Sequence, residues 1–437
     1  MKYRILLHKF GFIFLLALVS FSPFAINRTF ERPSVSQRAF IIFAIMSVIW
    51  LLLPILILSG VTRLKRGKPV YFVLLYILSI VISSIFSGNP SFSFYEMIYL
   101  LPAVIYYLTL VSLKIKTRDI HKILFFLSLT TIPVIIFAVL QNYGIDVFGY
   151  EKTGMIEKKK IASFFGNPNY LASYLSPVLF LTLGACIISR KKTFRTICGF
   201  ISISIIFCLF LAGTRAAWLG VATGFGISLI LFLKYGSVKK KYIHWGILIA
   251  ASLLIMVLLF FLLPGEHLPF EIRERIFSMN EVYGRLFLWQ IGKNMFMDHP
   301  LTGVGFHRYH VEVNHYAYDF FQTNPHARAY ESYVGTGRIQ RYLHNEYYEI
   351  LVESGLLGLF FFIGIIVSTF TERLKGLKES FISNRFVLFR IFMLGSLSAM
   401  LMDAFWGFPF QLPCSGILFW LILALNHKLE EPLIHES

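Results

Sequence analysis

Apolar runs separated by short basic connectors set the rhythm of this chain. Runs near 10–26, 40–60, 70–86, 94–113, 123–140, 170–189, 197–212, 216–233, 243–263, 348–370, 387–405 and 415–425 approach or reach the roughly 17–25 residues that a helix needs to cross a hydrocarbon core. The pattern predicts an all-α polytopic membrane protein with about twelve transmembrane helices. Nine fall in residues 1–264, a large loop occupies 265–345, and three more with a tail fill 346–437. The last run is the shortest. The first follows Lys2, Arg4 and Lys9 and lacks a small-residue cleavage site, so it reads as a retained signal-anchor. An even number of spans puts both termini on one side. With the termini inside, most Lys and Arg fall in inside connectors, as the positive-inside rule expects. Arg28, Arg32 and Arg38 run against the scheme, since they sit in an outside loop.

Composition narrows the class further. Hydrophobic residues make up 57% and charged residues 15% of the 437, with a mean hydropathy of +0.68. Soluble proteins carry about 45–50% apolar and roughly 25% charged residues, so both figures point to a lipid bilayer as the solvent. The 46 Phe and 22 Tyr suit lipid-facing helices and their interfacial belts. The formal charge of +18 is dispersed in short clusters between spans, and no nucleic-acid partner is expected. Cys186, Cys198 and Cys208 lie inside apolar runs and Cys414 borders one, which fits buried thiols rather than disulfides.

The loop at 265–345 changes the picture, because chemistry concentrates there. Of the 12 histidines, His267, His299, His307, His310, His315 and His326 lie in it and His344 at its edge. Three segments stand out. Arg215, in Ala212-Gly213-Thr214-Arg215, occupies a tight connection between two spans. It is either a snorkelling anchor or a fixed cation facing a lipid-linked phosphate. Gly284-Arg285 opens an amphipathic helix running to about Met297, whose Leu286, Trp289, Ile291 and Phe296 would lie on the membrane surface. His344-Asn345-Glu346 begins a span, with Asn345 as its N-cap and Glu346 and Glu349 at the positive end of the helix dipole. Glu353 lies about 12 Å deeper at ~1.5 Å per residue, where an acid needs a partner. Gly355 and Gly358 permit close helix contact. Asp403, near the outer end of the eleventh span, pairs with a neighbouring base in the simplest reading. A metal site from His307, His310, Glu312 and His315 reproduces no established zinc spacing, and no metal or other cofactor is expected. Tyr309, Tyr316, Tyr318, Phe320, Phe321, Tyr330 and Tyr333 suit sugar stacking or packing equally.

Together the segments resemble the O-antigen ligase superfamily of bacterial membrane glycosyltransferases. The resemblance rests on Arg215 followed four residues on by Leu219, and on His344 with Asn345 and a glycine, Gly355, after ten intervening residues. The Gly284-Arg285…Trp289…His299-Pro300-Leu301-Thr302-Gly303-Val304-Gly305 stretch and Phe165-Gly166-Asn167-Pro168-Asn169-Tyr170 complete it. It implies a GT-C-like fold in the inner membrane, with one large helical periplasmic loop and an active site on that face. The donor would be a glycan on undecaprenyl diphosphate. The acceptor would be lipid A–core sugar in a ligase, another repeat unit in an O-antigen polymerase, or a protein hydroxyl in a protein O-oligosaccharyltransferase. Transfer would be metal-independent and inverting. The family's functional residues map onto Arg215 and Arg285, read as the diphosphate clamp, and onto His344, read as the base; Asn345, Glu353 and Asp403 are the residues expected to support them. A twelve-span plan also suits a transporter, yet carriers carry paired repeats, and none is present here. A metal hydrolase of lipid phosphates is the third reading.

Overall fold

The computed structural model of the chain describes residues 17, 19–25, 67–113, 117–147, 161–236, 279–324, 342–378 and 384–428. Their helices, in chain order, are α1 (Lys68–Ile85), α2 (Pro90–Ser112), α3 (Thr117–Asn142), α4 (Pro168–Ile188), α5 (Lys192–Ala212), α6 (Arg215–Tyr235), α7 (Met279–Asp298), α8 (Tyr309–Thr323), α9 (Glu346–Leu377), α10 (Asn384–Trp406) and α11 (Pro413–Lys428). No strand occurs among the described residues, and eight of these helices (α1 to α6, α9 and α10) are long and apolar enough to cross a bilayer. The protein is a polytopic membrane protein. The expected run at 415–425 is the short apolar helix α11. Those at 40–60 and 243–263, most of 10–26, and the boundary at 264/265 lie outside the described residues.

Helix starts are written locally. Asn89, Asn167 and Asn345 cap α2, α4 and α9, accepting from the amides of Phe92 (3.2 Å), Asn169 (2.8 Å) and Tyr348 (3.0 Å). Pro90 and Pro168 fill first-turn positions where no intrahelical N–H is needed.

Helices α4 and α10 make the centre of the bundle: 78% of the most apolar window of each is buried, against 28–50% in the other six. α10 packs on both α4 and α6, α9 on α1, α11 on α2, and α3 and α5 on α4. Lipid tails are as apolar as the helices, so association depends on close packing rather than on a hydrophobic drive. The α6–α10 contact uses Gly220 and Gly224. A Cβ on Gly224 would lie 2.4 Å from Phe180 Cζ and 2.7 Å from the Gly395 carbonyl oxygen. At the far end of the bundle, Arg373 and Arg390 are fully buried and donate to the carbonyls of Leu425 (3.2 Å) and Gly376 (2.6 Å).

Helix α9 is broken. Hydropathy runs continuously through 348–370 and predicts one straight span, whereas Gly355 has φ 65° and ψ −168°, outside the helical region. The segment 300–305 fills the break. Val304 and Gly305 amides donate to the carbonyls of Val352 (3.0 Å) and Glu353 (3.1 Å). Leu356 and Leu357 amides donate to Pro300 (2.9 Å) and Leu301 (3.4 Å). The backbone groups orphaned by the kink are thereby paired, as burial demands. So close an approach excludes side chains: a Cβ on Gly355 would lie 2.2 Å from the Leu301 oxygen.

One expectation is corrected here. α7 begins at Met279, ahead of Gly284, and of the expected surface face only Leu286 is exposed, whereas Ile291 is buried and Trp289 and Phe296 pack inward. Phe287, Leu288, Ile291 and Met295 are buried in a satellite core with Tyr309, Val313, Phe320 and Val352. Trp289 donates to the Leu343 carbonyl (2.9 Å), and Tyr348 donates to the Trp289 carbonyl (2.9 Å). An apolar stripe on a surface helix fits a neighbouring helix as well as a membrane, and α8 and α9 supply the neighbour.

Candidate functional site

Three helix N-termini meet at the end of the bundle that carries α7 and α8. At the start of α6, the Thr214 hydroxyl contacts Asn169 Oδ1 at 3.2 Å, which joins the Asn167-Pro168-Asn169 turn of α4 to Arg215. The next residue of that turn, Tyr170, meets Phe408 edge-on at 5.7 Å, and Phe408 meets His344 at 4.9 Å. His344 directly precedes the N-cap of α9. The dipoles of three N-termini favour an anion in this region.

Arg285 reaches the same region from α7. It lies one turn before Trp289, whose indole holds the residue preceding His344. Its charge acts on Asp403 of α10, which is 1% exposed and takes a hydrogen bond from Ser173 of α4. Arg215, Arg285 and His344 are all half-buried. His344 has φ +55°, a conformation open to few non-glycine residues.

The supporting residues behave in distinct ways. Asn345 caps α9. Glu353, 3% exposed, accepts backbone bonds from Tyr309 (3.2 Å) and His307, so the partner an intramembrane acid requires is the start of α8. Glu346 and Glu349 are 1% exposed and go beyond offsetting a dipole. Glu346 Oε1 accepts from the amides of Phe410 (2.6 Å) and Gln411 (3.2 Å). Glu349 accepts from the Leu343 amide (2.9 Å) and Gln411 Nε2 (3.1 Å). Three carboxylates on one helix face thus fasten three chain segments. A cavity of about 120 Å³ beside them is bordered by Glu96, His307, Glu346, Glu353 and Phe410.

The residues weighed as metal ligands have other neighbours, with the His307 and His310 rings 5.1 Å apart. His307 faces Glu96 (3.6 Å), Glu312 pairs with Arg308, and His315 pairs with Asp319 (3.6 Å). Among the described residues no three His, Cys, Asp or Glu gather as a metal site. Of the loop aromatics, Tyr309 and Phe320 are buried and unavailable for stacking, and Tyr318 is exposed. Tyr316 donates to Asp298 (2.8 Å); burial and that carboxylate push its phenol well above the usual range. Tyr330 and Tyr333 lie outside the described residues. Sequence reasoning gives no role to Tyr342, nor to Phe408 and Gln411 in the Gly407-Phe408-Pro409-Phe410-Gln411 run that follows Asp403.

The described residues form a helical membrane protein with two arginines and a histidine at one end of its bundle, and comparison with known proteins shows what part of it resembles. Residues 200–363, which hold Arg215, Arg285, His344 and Gly355, match the family described as O-antigen ligase. Over those residues, which are less than half of the chain, the protein is similar to the O-antigen ligase family. It is also 34% identical over 94 residues to the exopolysaccharide production protein ExoQ of Rhizobium meliloti (strain 1021). That match spans 22% of this chain and 20% of the relative's length.

Proposed function

We propose that the chain transfers a glycan from undecaprenyl diphosphate to an acceptor hydroxyl at the periplasmic face of the inner membrane, with lipid A–core sugar as the acceptor. The reading is carried by one observation: the segments bearing Arg215, Arg285 and His344 are tied together through Thr214–Asn169, Trp289–Leu343 and Tyr170–Phe408–His344.

The chemistry follows from the residue types. The acceptor oxygen attacks the anomeric carbon, and the bond from that carbon to the diphosphate oxygen breaks with inversion. Both electrons of the broken bond leave on the lipid diphosphate. Diphosphate needs charge stabilisation more than protonation, and guanidinium forks match its oxygens. His344, as a neutral imidazole, accepts the hydroxyl proton. No metal is required for these steps. A second reading takes another glycan unit as acceptor, and the likeness to a protein named for exopolysaccharide production favours it.

Deletion of the gene tests both readings. Long unattached chains are expected for a ligase, and single repeats for a polymerase. In the purified protein, Arg215→Ala, Arg285→Ala and His344→Ala should each lower transfer about 10²–10³-fold, the usual cost of removing one preorganised group. Wild-type rates in any of the three would remove that residue from the scheme.

A further inference from the structure

We propose that Glu346 and Phe408 are positioning residues for His344, holding its ring from the connection between α10 and α11. The role of His344 itself rests on the transferase reading; the clamp does not.

The backbone on either side of His344 is fixed by α9 and by α7. The Leu343 amide donates to Glu349, its carbonyl accepts from Trp289, and Asn345 caps α9. The ring is held from elsewhere. Phe408 packs on it edge-to-face, with centroids 4.9 Å apart and planes at 76°. Phe408 in turn stacks on Tyr342 (4.3 Å, 19°) and meets Tyr170 (5.7 Å, 78°), so its ring is sandwiched in one orientation.

A ring on a connecting loop holds its neighbour only if the loop is held. Glu346 does this: one oxygen accepts from both the Phe410 and Gln411 amides, and the Gln411 amide also donates to the Phe408 carbonyl (3.2 Å), which closes the turn at Phe408. Gln411 Nε2 adds a tie to Glu349 (3.1 Å). Glu346 is 1% exposed, so it acts through the loop rather than on a substrate. One side-chain oxygen serves two donors, an amide oxygen in its place can still accept, and alanine leaves two amides without their acceptor. A proton acceptor must meet the hydroxyl within hydrogen-bond reach, and a displacement of about 1 Å at a reacting group costs roughly 10²-fold.

The test uses the purified full chain, with undecaprenyl-diphosphate glycan extracted from a deletion strain as donor. Two quantities are read: transfer kinetics, and the rate at which diethyl pyrocarbonate labels His344, followed by mass spectrometry. Glu346→Ala and Phe408→Leu should lower kcat about tenfold or more and leave the donor KM within about twofold. Glu346→Gln and Phe408→Tyr, which keep the acceptor oxygen and the ring, should recover most of the rate. His344 labelling should become several-fold faster in the first pair only. Unchanged labelling in both Glu346→Ala and Phe408→Leu overturns the clamp. Equal losses with no rescue by the conservative variants overturn it in favour of a general scaffold role. Faster labelling with unchanged kcat supports the clamp and instead overturns the part given to His344 in transfer.

Discussion

The break in α9 makes a quantitative prediction for Gly355→Ala. The φ/ψ pair of Gly355 lies in a region essentially reserved for glycine, and forcing another residue there costs about 1–3 kcal/mol. The added Cβ would also meet the Leu301 oxygen at 2.2 Å and the Thr302 nitrogen at 2.6 Å, both backbone atoms with little room to move. Relief requires segment 300–305 to withdraw, which weakens the four backbone hydrogen bonds that join it to 352–357. Losing half of them at about 0.5–1.5 kcal/mol each adds roughly 1–3 kcal/mol. The sum centres on about 4 kcal/mol, and at roughly 2 °C per kcal/mol for a large domain the melting temperature should fall by on the order of 8 °C. Thermal unfolding of the purified protein, followed by intrinsic tryptophan fluorescence, reads this directly. Gly199→Ala is the control: it lies in the interior of α5 with no heavy atom within 4 Å of its added Cβ. That variant should be neutral or stabilised by about 0.5–1 kcal/mol. If Gly355→Ala melts within about 1 °C of the wild type, the account of the break is refuted.

Further outcomes follow from packing and protonation. Gly224→Leu places a branched side chain where a single Cβ already meets Phe180 and the Gly395 carbonyl, so α6 and α10 should separate and stability fall by about 3 kcal/mol or more, read by the same melt. Tyr316 is neutral when folded and its phenol is held well above the usual range, whereas the unfolded chain ionises near pH 10. Its contribution is therefore present below pH 10 and lost as pH rises toward the folded value. Melting curves between pH 9 and 11 should drop less steeply in Tyr316→Phe than in the wild type.

Much of the bundle was legible because crossing a bilayer imposes a length and a hydropathy that few soluble segments share. The runs at 94–113, 197–212 and 216–233 became α2 (Pro90–Ser112), α5 (Lys192–Ala212) and α6 (Arg215–Tyr235) with shifts of a few residues at most. The kink at Gly355 was not legible, since hydropathy averages over the very residue whose backbone departs. What pairs with that kink lies about 50 residues earlier in sequence, and the pairing is through backbone atoms that carry no side-chain signature. The same holds for Glu346 and Glu349. Their placement in a first helical turn suits the dipole, and this masked their stronger role as acceptors for segments brought close only by the fold. Arg215, Arg285 and His344 stood out by residue type; Phe408, which links His344 to the α4 turn, looked like one more aromatic among many.

The division of labour between arginines and histidine is tested most directly by equilibrium binding of undecaprenyl diphosphate to the purified protein and its variants. Arg215→Ala and Arg285→Ala should each weaken binding at least tenfold, while His344→Ala binds like the wild type and fails only in transfer. Wild-type affinity in both arginine variants would contradict the account, because no guanidinium would then be holding the diphosphate.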